Sequence, residues 1–112
     1  MQHLTLIILL KFILGIHFGM ATNFSYENDP WNPNPSLACE PNHVFTSKDV
    51  IIAHPTLPCL SKVFLYAPRT HRSVVAVVAD RGPRKALADL APATTRALKA
   101  NGSEPVIMVE LP

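Results

Sequence analysis

Residues 73–83 read SVVAVVADRGP, an unbroken run of small and β-branched residues that ends in a charged turn. Such a run is typical of a strand that is buried on both faces, and Gly82-Pro83 predicts that the strand ends there. A second strand is predicted just before it, over Lys62–Tyr66, because KVFLY combines β-branched and aromatic residues. The polar residues 69–72 between the two runs predict a turn.

The flanking segments add one helix and shorter strands. A helix is predicted over Pro92–Ala100, since proline suits a first helical position and Asn101-Gly102 supplies a stop. The chain then closes with a predicted strand over Pro105–Leu111, and Val50–Ala53 is a further short apolar run. Several short strands separated by turns predict a mainly β protein, a small barrel or sandwich with one short helix before the last strand.

Composition excludes several classes of protein. A chain of 112 residues has room for one domain. Its 11 prolines exclude a helical bundle, a coiled coil and a doubly wound sheet, and its four glycines do not form a P-loop or a dinucleotide fingerprint. The net charge is +2, and no run of Lys and Arg alternates with aromatic residues, so a nucleic-acid partner is not expected.

The first 21 residues differ in composition from the rest. They are mostly apolar, with Lys11 as the only charge, and end in Gly19-Met20-Ala21. Small residues at these positions predict a signal peptide over residues 1–21, cleaved after Ala21, and an exported domain over residues 22–112. An uncleaved N-terminal anchor and a translation start at Met20 are the alternatives. After cleavage, no stable membrane insertion is expected.

Two cysteines, Cys39 and Cys59, are the only ones in the chain. In an oxidising compartment they are predicted to form a disulfide. The alternative is a metal pair completed by His43 or His54, which their spacing does not favour because no CxxC or HxxxH pair is present. We therefore expect no metal and no cofactor.

Two blocks of sequence carry a family resemblance. The first block, AHPTLP, contains His54. The second, DRGP, begins at Asp80, which is 26 residues after His54. ADLAP, the predicted helix and the last predicted strand follow these blocks. Together they resemble the RlpA-like double-psi β-barrel family, which is similar to the barrel of other lytic transglycosylases and of expansins. The resemblance covers roughly residues 36–111 and implies a small six-stranded double-psi β-barrel.

The resemblance also implies a reaction: endolytic cleavage of peptidoglycan glycan strands to 1,6-anhydromuramic ends. Asp80 would be the general acid and base, with His54 assisting. One carboxyl group can suffice because the sugar's own 6-hydroxyl is the nucleophile. The expected partner is peptidoglycan glycan, the expected state is a monomer, and no cofactor is needed. The alternative is a non-catalytic, expansin-like barrel that binds or loosens wall polysaccharide, or that binds a protein.

Further positions are candidates for substrate binding. His43 stands where the family usually has a glutamate, and Glu40 lies three residues earlier. Arg81 would stabilise the DRGP turn or hold an anionic group. Tyr26 and Trp31 would form a stacking platform for sugar rings or a lid over the barrel. The family usually has glycine at the position of Leu60, so a positive φ there would be strained. The complete set of predicted site residues is Asp80, His54, His43, Glu40, Arg81, Tyr26 and Trp31.

Overall fold

The computed structural model describes residues 5–6, 9, 15–24, 37–44 and 46–112. The strands are β1 (Ile16–Asn23), β2 (Ile51–Ala53), β3 (Lys62–Ala67), β4 (Arg72–Asp80), β5 (Ala88–Leu90) and β6 (Glu104–Glu110), and helix α1 (Pro92–Leu98) lies between β5 and β6. Thr5, Leu6 and Leu9 are also helical. Within the described ranges, no helix is both long enough and apolar enough to cross a membrane.

The six strands form a closed barrel in the order β1-β5-β2-β4-β3-β6. The pairs β1/β5 and β2/β4 are parallel, and the other pairs are antiparallel. Closure gives every strand a neighbour on both sides, although β1 pairs with β5 only from Ala21 to Asn23. The prediction of a mainly β, six-stranded barrel with one short helix before the last strand is confirmed, and the barrel is consistent with a double-psi fold.

Alternating residues of the strands fill the barrel. Val63, Leu65 and Ala67 of β3 point inward and are fully buried, as are Ala76 and Val78 of β4. Burying an aliphatic side chain of this size stabilises the fold by about 1.5–3 kcal/mol. Inward-facing residues of the other strands and Leu98 of α1 complete this core.

Helix α1 begins and ends for local reasons. Pro92 occupies the first turn, where a missing N–H costs nothing, and Lys99 ends the helix in the left-handed conformation with φ 49°. The helix is therefore shorter than the predicted Pro92–Ala100.

Strand β1 (Ile16–Asn23) spans the predicted cleavage point. Residues Ile16 to Ala21 pair with β6, and residues Ala21 to Asn23 pair with β5. Ala21 is buried in the core. The predicted boundary after Ala21 therefore falls inside β1, whose strand pairing begins at Ile16, and the domain limits stay a prediction. Cleavage of a signal peptide itself stays a prediction.

A disulfide joins the two loops beside the end of β4. Cys39 and Cys59 are bonded with their Cα atoms 5.2 Å apart, as predicted. The Cys39 N–H donates to the Ala79 carbonyl at 3.0 Å, and the Leu60 N–H donates to the Val78 carbonyl at 2.7 Å. Closing a loop of this length stabilises a domain by about 3 kcal/mol in the chain-entropy model. Leu60 has φ 67°, so a side chain occupies a backbone conformation that favours glycine.

Candidate functional site

A polar row crosses four strands of the barrel. In β2, Ala53 lies opposite Asp80 of β4 on one side and opposite Asp89 of β5 on the other. In β1, Thr22 lies opposite Asp89. Neighbouring strands are about 4.8 Å apart, so the two aspartates are separated by about 10 Å at their Cα atoms, with only the small Ala53 between them.

A β-bulge brings Asp80 into this row. The register between β2 and β4 shifts after Ile52, so that Ala53 pairs with Asp80 and Ala79 is skipped. Bulges of this kind re-aim side chains beside functional sites. His54 follows Ala53 directly, and its N–H donates to the Asp80 carbonyl at 3.0 Å. The parallel pairing of β2 with β4 thus places the two predicted catalytic residues at the same mouth of the barrel.

The Asp80 carboxylate is held by the backbone. It is only 8% exposed, and its Oδ1 accepts hydrogen bonds from the Ala38 N–H at 3.0 Å and the Arg81 N–H at 2.9 Å. Two hydrogen bonds to one oxygen fix the orientation of the carboxyl group. The loop that carries Cys39 therefore positions the Asp80 side chain.

Asp89 is a site residue that the sequence analysis missed. Burial raises the pKa of Asp89, and the negative charge of Asp80 raises it further. The Thr22 hydroxyl opposes this shift by donating to Asp89 Oδ1 at 2.8 Å. A signal was present, since an acidic residue between the apolar Ala88 and Leu90 is unusual in a strand. The site thus contains two carboxyl groups in different environments, an arrangement that separates acid and base roles.

His54 is a buried, neutral side chain. It is 7% exposed, and its Nδ1 accepts hydrogen bonds from the Thr56 and Leu57 N–H groups at 3.1 and 3.0 Å. An accepting Nδ1 carries no proton, so the neutral tautomer has its proton on Nε2. Burial lowers the pKa of His54, and the positive charges of His17 and Arg81 contribute to the same shift. The ring therefore orders the loop after β2.

The lowered pKa of His54 predicts a pH dependence of stability. The unfolded chain protonates this residue near pH 6.5, whereas the folded chain does so only at lower pH. The stabilisation is thus fully present above pH 6.5 and is lost as the pH falls toward the folded-state pKa, at up to about 1.4 kcal/mol per pH unit. Urea unfolding of the parent and of His54→Asn between about pH 7.5 and 5 measures this slope.

The His54→Asn variant is a matched control because the asparagine oxygen can accept the same two backbone hydrogen bonds without titrating. We expect its free energy of unfolding to fall less steeply with decreasing pH than that of the parent. His43 titrates equally in both proteins and cancels in the comparison. Equal slopes in the two proteins would contradict a neutral, buried His54.

The Arg81 guanidinium forms hydrogen bonds with the loop that follows β2. Its Nη1 donates to the carbonyls of His54 at 3.1 Å and Leu57 at 2.6 Å, and its Nη2 donates to Cys59 Sγ at 3.2 Å. The guanidinium therefore fastens residues 54–59 to the end of β4. Of its two predicted roles, these contacts favour the structural one.

His43 and Glu40 form a separate cluster. His43 Nε2 lies 3.0 Å from Asp49 Oδ2, and its Nδ1 lies 3.9 Å from Glu40 Oε2. The hydrogen bond that His43 donates to the Asp49 carboxylate, with the charges of Asp49 and Glu40, raises the pKa of His43. The structure thus joins these two predicted residues to Asp49. Tyr26 and Trp31 lie outside the described residues.

A shallow cleft of ≈360 Å³ is lined by Asn23, Phe24, Pro92, Thr95 and Arg96. It lies where β1 and α1 meet, beyond the ends of β1 and β5. Among the described residues, no cluster of His, Cys, Asp and Glu could hold a metal ion.

The fold and site define a small, disulfide-bonded, closed six-stranded β-barrel with a pair of carboxyl groups on one side. No protein-family model and no curated protein matches the chain. Among solved structures it is similar to the Streptomyces papain inhibitor, at 17% sequence identity and a TM-score of 0.60, over 88% of this chain and 98% of that one. At this identity the likeness shows the fold alone.

Proposed function

We propose that this barrel cleaves polysaccharide, by lytic transglycosylation of peptidoglycan glycan strands. The observation that carries the proposal is the unequal pair of carboxyl groups, Asp80 and Asp89. The raised pKa of Asp89 favours its protonated form more than in an ordinary aspartate, which suits a proton donor, whereas two backbone N–H groups orient the Asp80 carboxylate. The substrate class comes from the resemblance of the His54 and Asp80 blocks to the RlpA-like family.

In this reaction Asp89 donates its proton to the glycosidic oxygen as the bond from that oxygen to C1 breaks. The Asp80 carboxylate stabilises the positive charge that develops on the sugar ring. Asp89, now ionised, takes the proton of the sugar's 6-hydroxyl while O6 bonds to C1. The 1,6-anhydro ring forms, Asp89 regains its proton, and no water is consumed. The proposal transfers the proton-carrying role from Asp80, which the sequence predicted, to Asp89.

A second candidate function is binding of a protein partner, with protease inhibition as its particular form. It is favoured by the likeness to the Streptomyces papain inhibitor and by the loop over residues 54–60. This loop is largely exposed but is fixed by the disulfide, by Arg81 and by the His54 ring. A rigid exposed loop binds a partner with little loss of conformational entropy.

One pair of assays separates the two functions. The full chain is incubated with peptide-stripped glycan strands, and products are analysed by mass spectrometry for anhydro ends. In parallel, the chain is titrated against papain and peptide hydrolysis is followed. Anhydro-ended fragments support the enzyme. Saturable inhibition of papain without any glycan product supports the inhibitor and overturns the proposed reaction.

A further inference from the structure

The outer side of four neighbouring strands is apolar. Along β3 and β6, the buried residues Val63, Leu65, Val106 and Met108 point inward, so the residues between them point outward. The cross-strand register aligns these outward residues with those of β1 and β4. We call this surface the outer apolar face; it consists of Ile16, Phe18, Met20, Phe64, Tyr66, Val75, Pro105, Ile107 and Val109.

The aligned residues form continuous rows. Ile16, Val109, Phe64 and Val75 are consecutive cross-strand partners, and a second row contains Phe18, Ile107 and Tyr66. Phe18, Met20 and Val75 are 40%, 44% and 48% exposed. Antiparallel strands facing water usually alternate apolar with polar residues. A contiguous exposed apolar surface of this kind marks an interaction site.

The face offers few groups that could form hydrogen bonds with a partner. Most backbone groups of its strands pair with neighbouring strands, and the Tyr66 hydroxyl already lies 3.1 Å from His71 Nδ1. Protein interfaces carry about one hydrogen bond per 100–200 Å². A surface with few such groups fits a partner that needs none, such as the hydrocarbon boundary of a lipid layer.

Exposed cations lie around the face, and the neighbouring carboxylate of Glu110 is paired with His17. Lys62 points outward two residues before Phe64. Arg84 and Lys85 belong to the loop that runs along β1, where the Leu87 N–H donates to the Met20 carbonyl at 2.8 Å. These three cations are exposed and form no ion pair with any residue that the structure describes. Cations at the edge of an apolar surface favour anionic headgroups, at about 1 kcal/mol each.

The sequence before β1 continues the apolar character. Residues 4–14 read LTLIILLKFIL, with Lys11 as their only charge, and they lead through Gly15 into the outward-facing Ile16. Apolar segments with a few basic residues partition into the interface of anionic membranes. This continuity favours a lipid surface over a second copy of the chain.

We propose that the outer apolar face docks on an anionic lipid surface, with Phe18, Met20 and Val75 in the interface and Lys62, Arg84 and Lys85 among the headgroups. The barrel then lies on the membrane without crossing it. This docking does not depend on glycan cleavage, and its test uses no glycan.

Sedimentation with vesicles tests the proposal on the full chain. Vesicles of phosphatidylcholine are compared with vesicles that contain about 30% phosphatidylglycerol, at about 0.1 and 0.5 M NaCl. We expect at least tenfold tighter binding to the anionic vesicles at low salt. Val75→Ser, on the face, should weaken binding several-fold, and the double variant Phe18→Ser/Val75→Ser at least tenfold. Val44→Ser is the matched control, because Val44 is a 66% exposed valine in the loop over residues 37–44.

The variants distinguish lipid binding by the outer apolar face from lipid binding by the N-terminal segment. If the double variant binds anionic vesicles as tightly as the parent, the N-terminal segment alone binds lipid and the proposal is overturned. The proposal is also overturned if the parent protein binds neither kind of vesicle. The same holds if the parent forms a dimer that the Val75→Ser substitution dissociates. Circular dichroism and thermal unfolding of each variant confirm that the barrel is retained in the protein being compared.

Discussion

A chain that starts at Thr22 is expected to lose the barrel, whereas a chain that starts at Gly15 keeps it. The shorter chain lacks residues 16–21, which are six of the eight residues of β1. Those six residues form the whole pairing of β1 with β6, and Ala21 belongs to the core. Each lost hydrogen bond costs about 1 kcal/mol, and the exposed interior adds to this. The loss is comparable with the 5–15 kcal/mol that stabilises a typical domain.

The two chains can be compared by proton NMR dispersion and by thermal unfolding. We expect dispersed signals and a cooperative transition for residues 15–112, and neither for residues 22–112. Should the shorter chain also unfold cooperatively, with a midpoint near that of the longer one, β1 would contribute little to stability. Cleavage after Ala21 would then be compatible with a folded barrel. Otherwise, any processing that leaves the barrel intact must occur before Ile16.

The fold was largely predictable because most of its elements carry local signals. The β-branched run in β4 and the proline at the start of α1 each determine a local conformation without help from distant residues. β1 was not predictable in this way. Its IHFGMATN sequence continues an apolar run typical of a signal peptide, and only pairing with β6 reveals it as a strand.

The site was predictable only in part. Asp80 and His54 lie in two sequence blocks of the resemblance, and the parallel pairing of β2 with β4 brings them together. Asp89 depends on three strands at once, because its environment comes from Thr22 on one side and from Ala53 and Asp80 on the other. A single sequence gives no sign of those pairings. His43 matched the family only by its offset, and its side chain is instead paired with Asp49.

The contacts around the mouth also explain how a small barrel can fix a site on its loops. Asp80 is held through Ala38, which adjoins the disulfide at Cys39. On the other side, Arg81 ties the loop after β2 to Cys59. Side chains placed by covalent and hydrogen-bonded supports keep their geometry without a large core. The same rigidity suits both proposed functions, so the carboxyl pair is the feature that distinguishes them.

Asp89→Asn is therefore expected to abolish glycan cleavage, with a loss of about 10³-fold in the rate of anhydro product formation, since asparagine keeps the shape but carries no transferable proton. Asp80→Asn removes only a stabilising charge and should lower the rate by about 10²–10³-fold. Both variants should still bind glycan strands, which a pull-down with insoluble glycan measures. The parent's rate should fall as the pH rises through the pKa of Asp89, because the acid must be protonated.

Thr22→Val is the control that links this pH dependence to Asp89. Its hydroxyl donates to Asp89 Oδ1 and favours the ionised form, so valine, of nearly equal shape, should raise the pKa of Asp89. The alkaline limb of the rate profile then moves to higher pH while the maximal rate changes little. If Thr22→Val leaves the pH dependence of the rate unchanged and Asp89→Asn keeps full activity, Asp80 rather than Asp89 would be the proton carrier. Glycan binding by every variant without product from the parent would instead identify the barrel as a binding module.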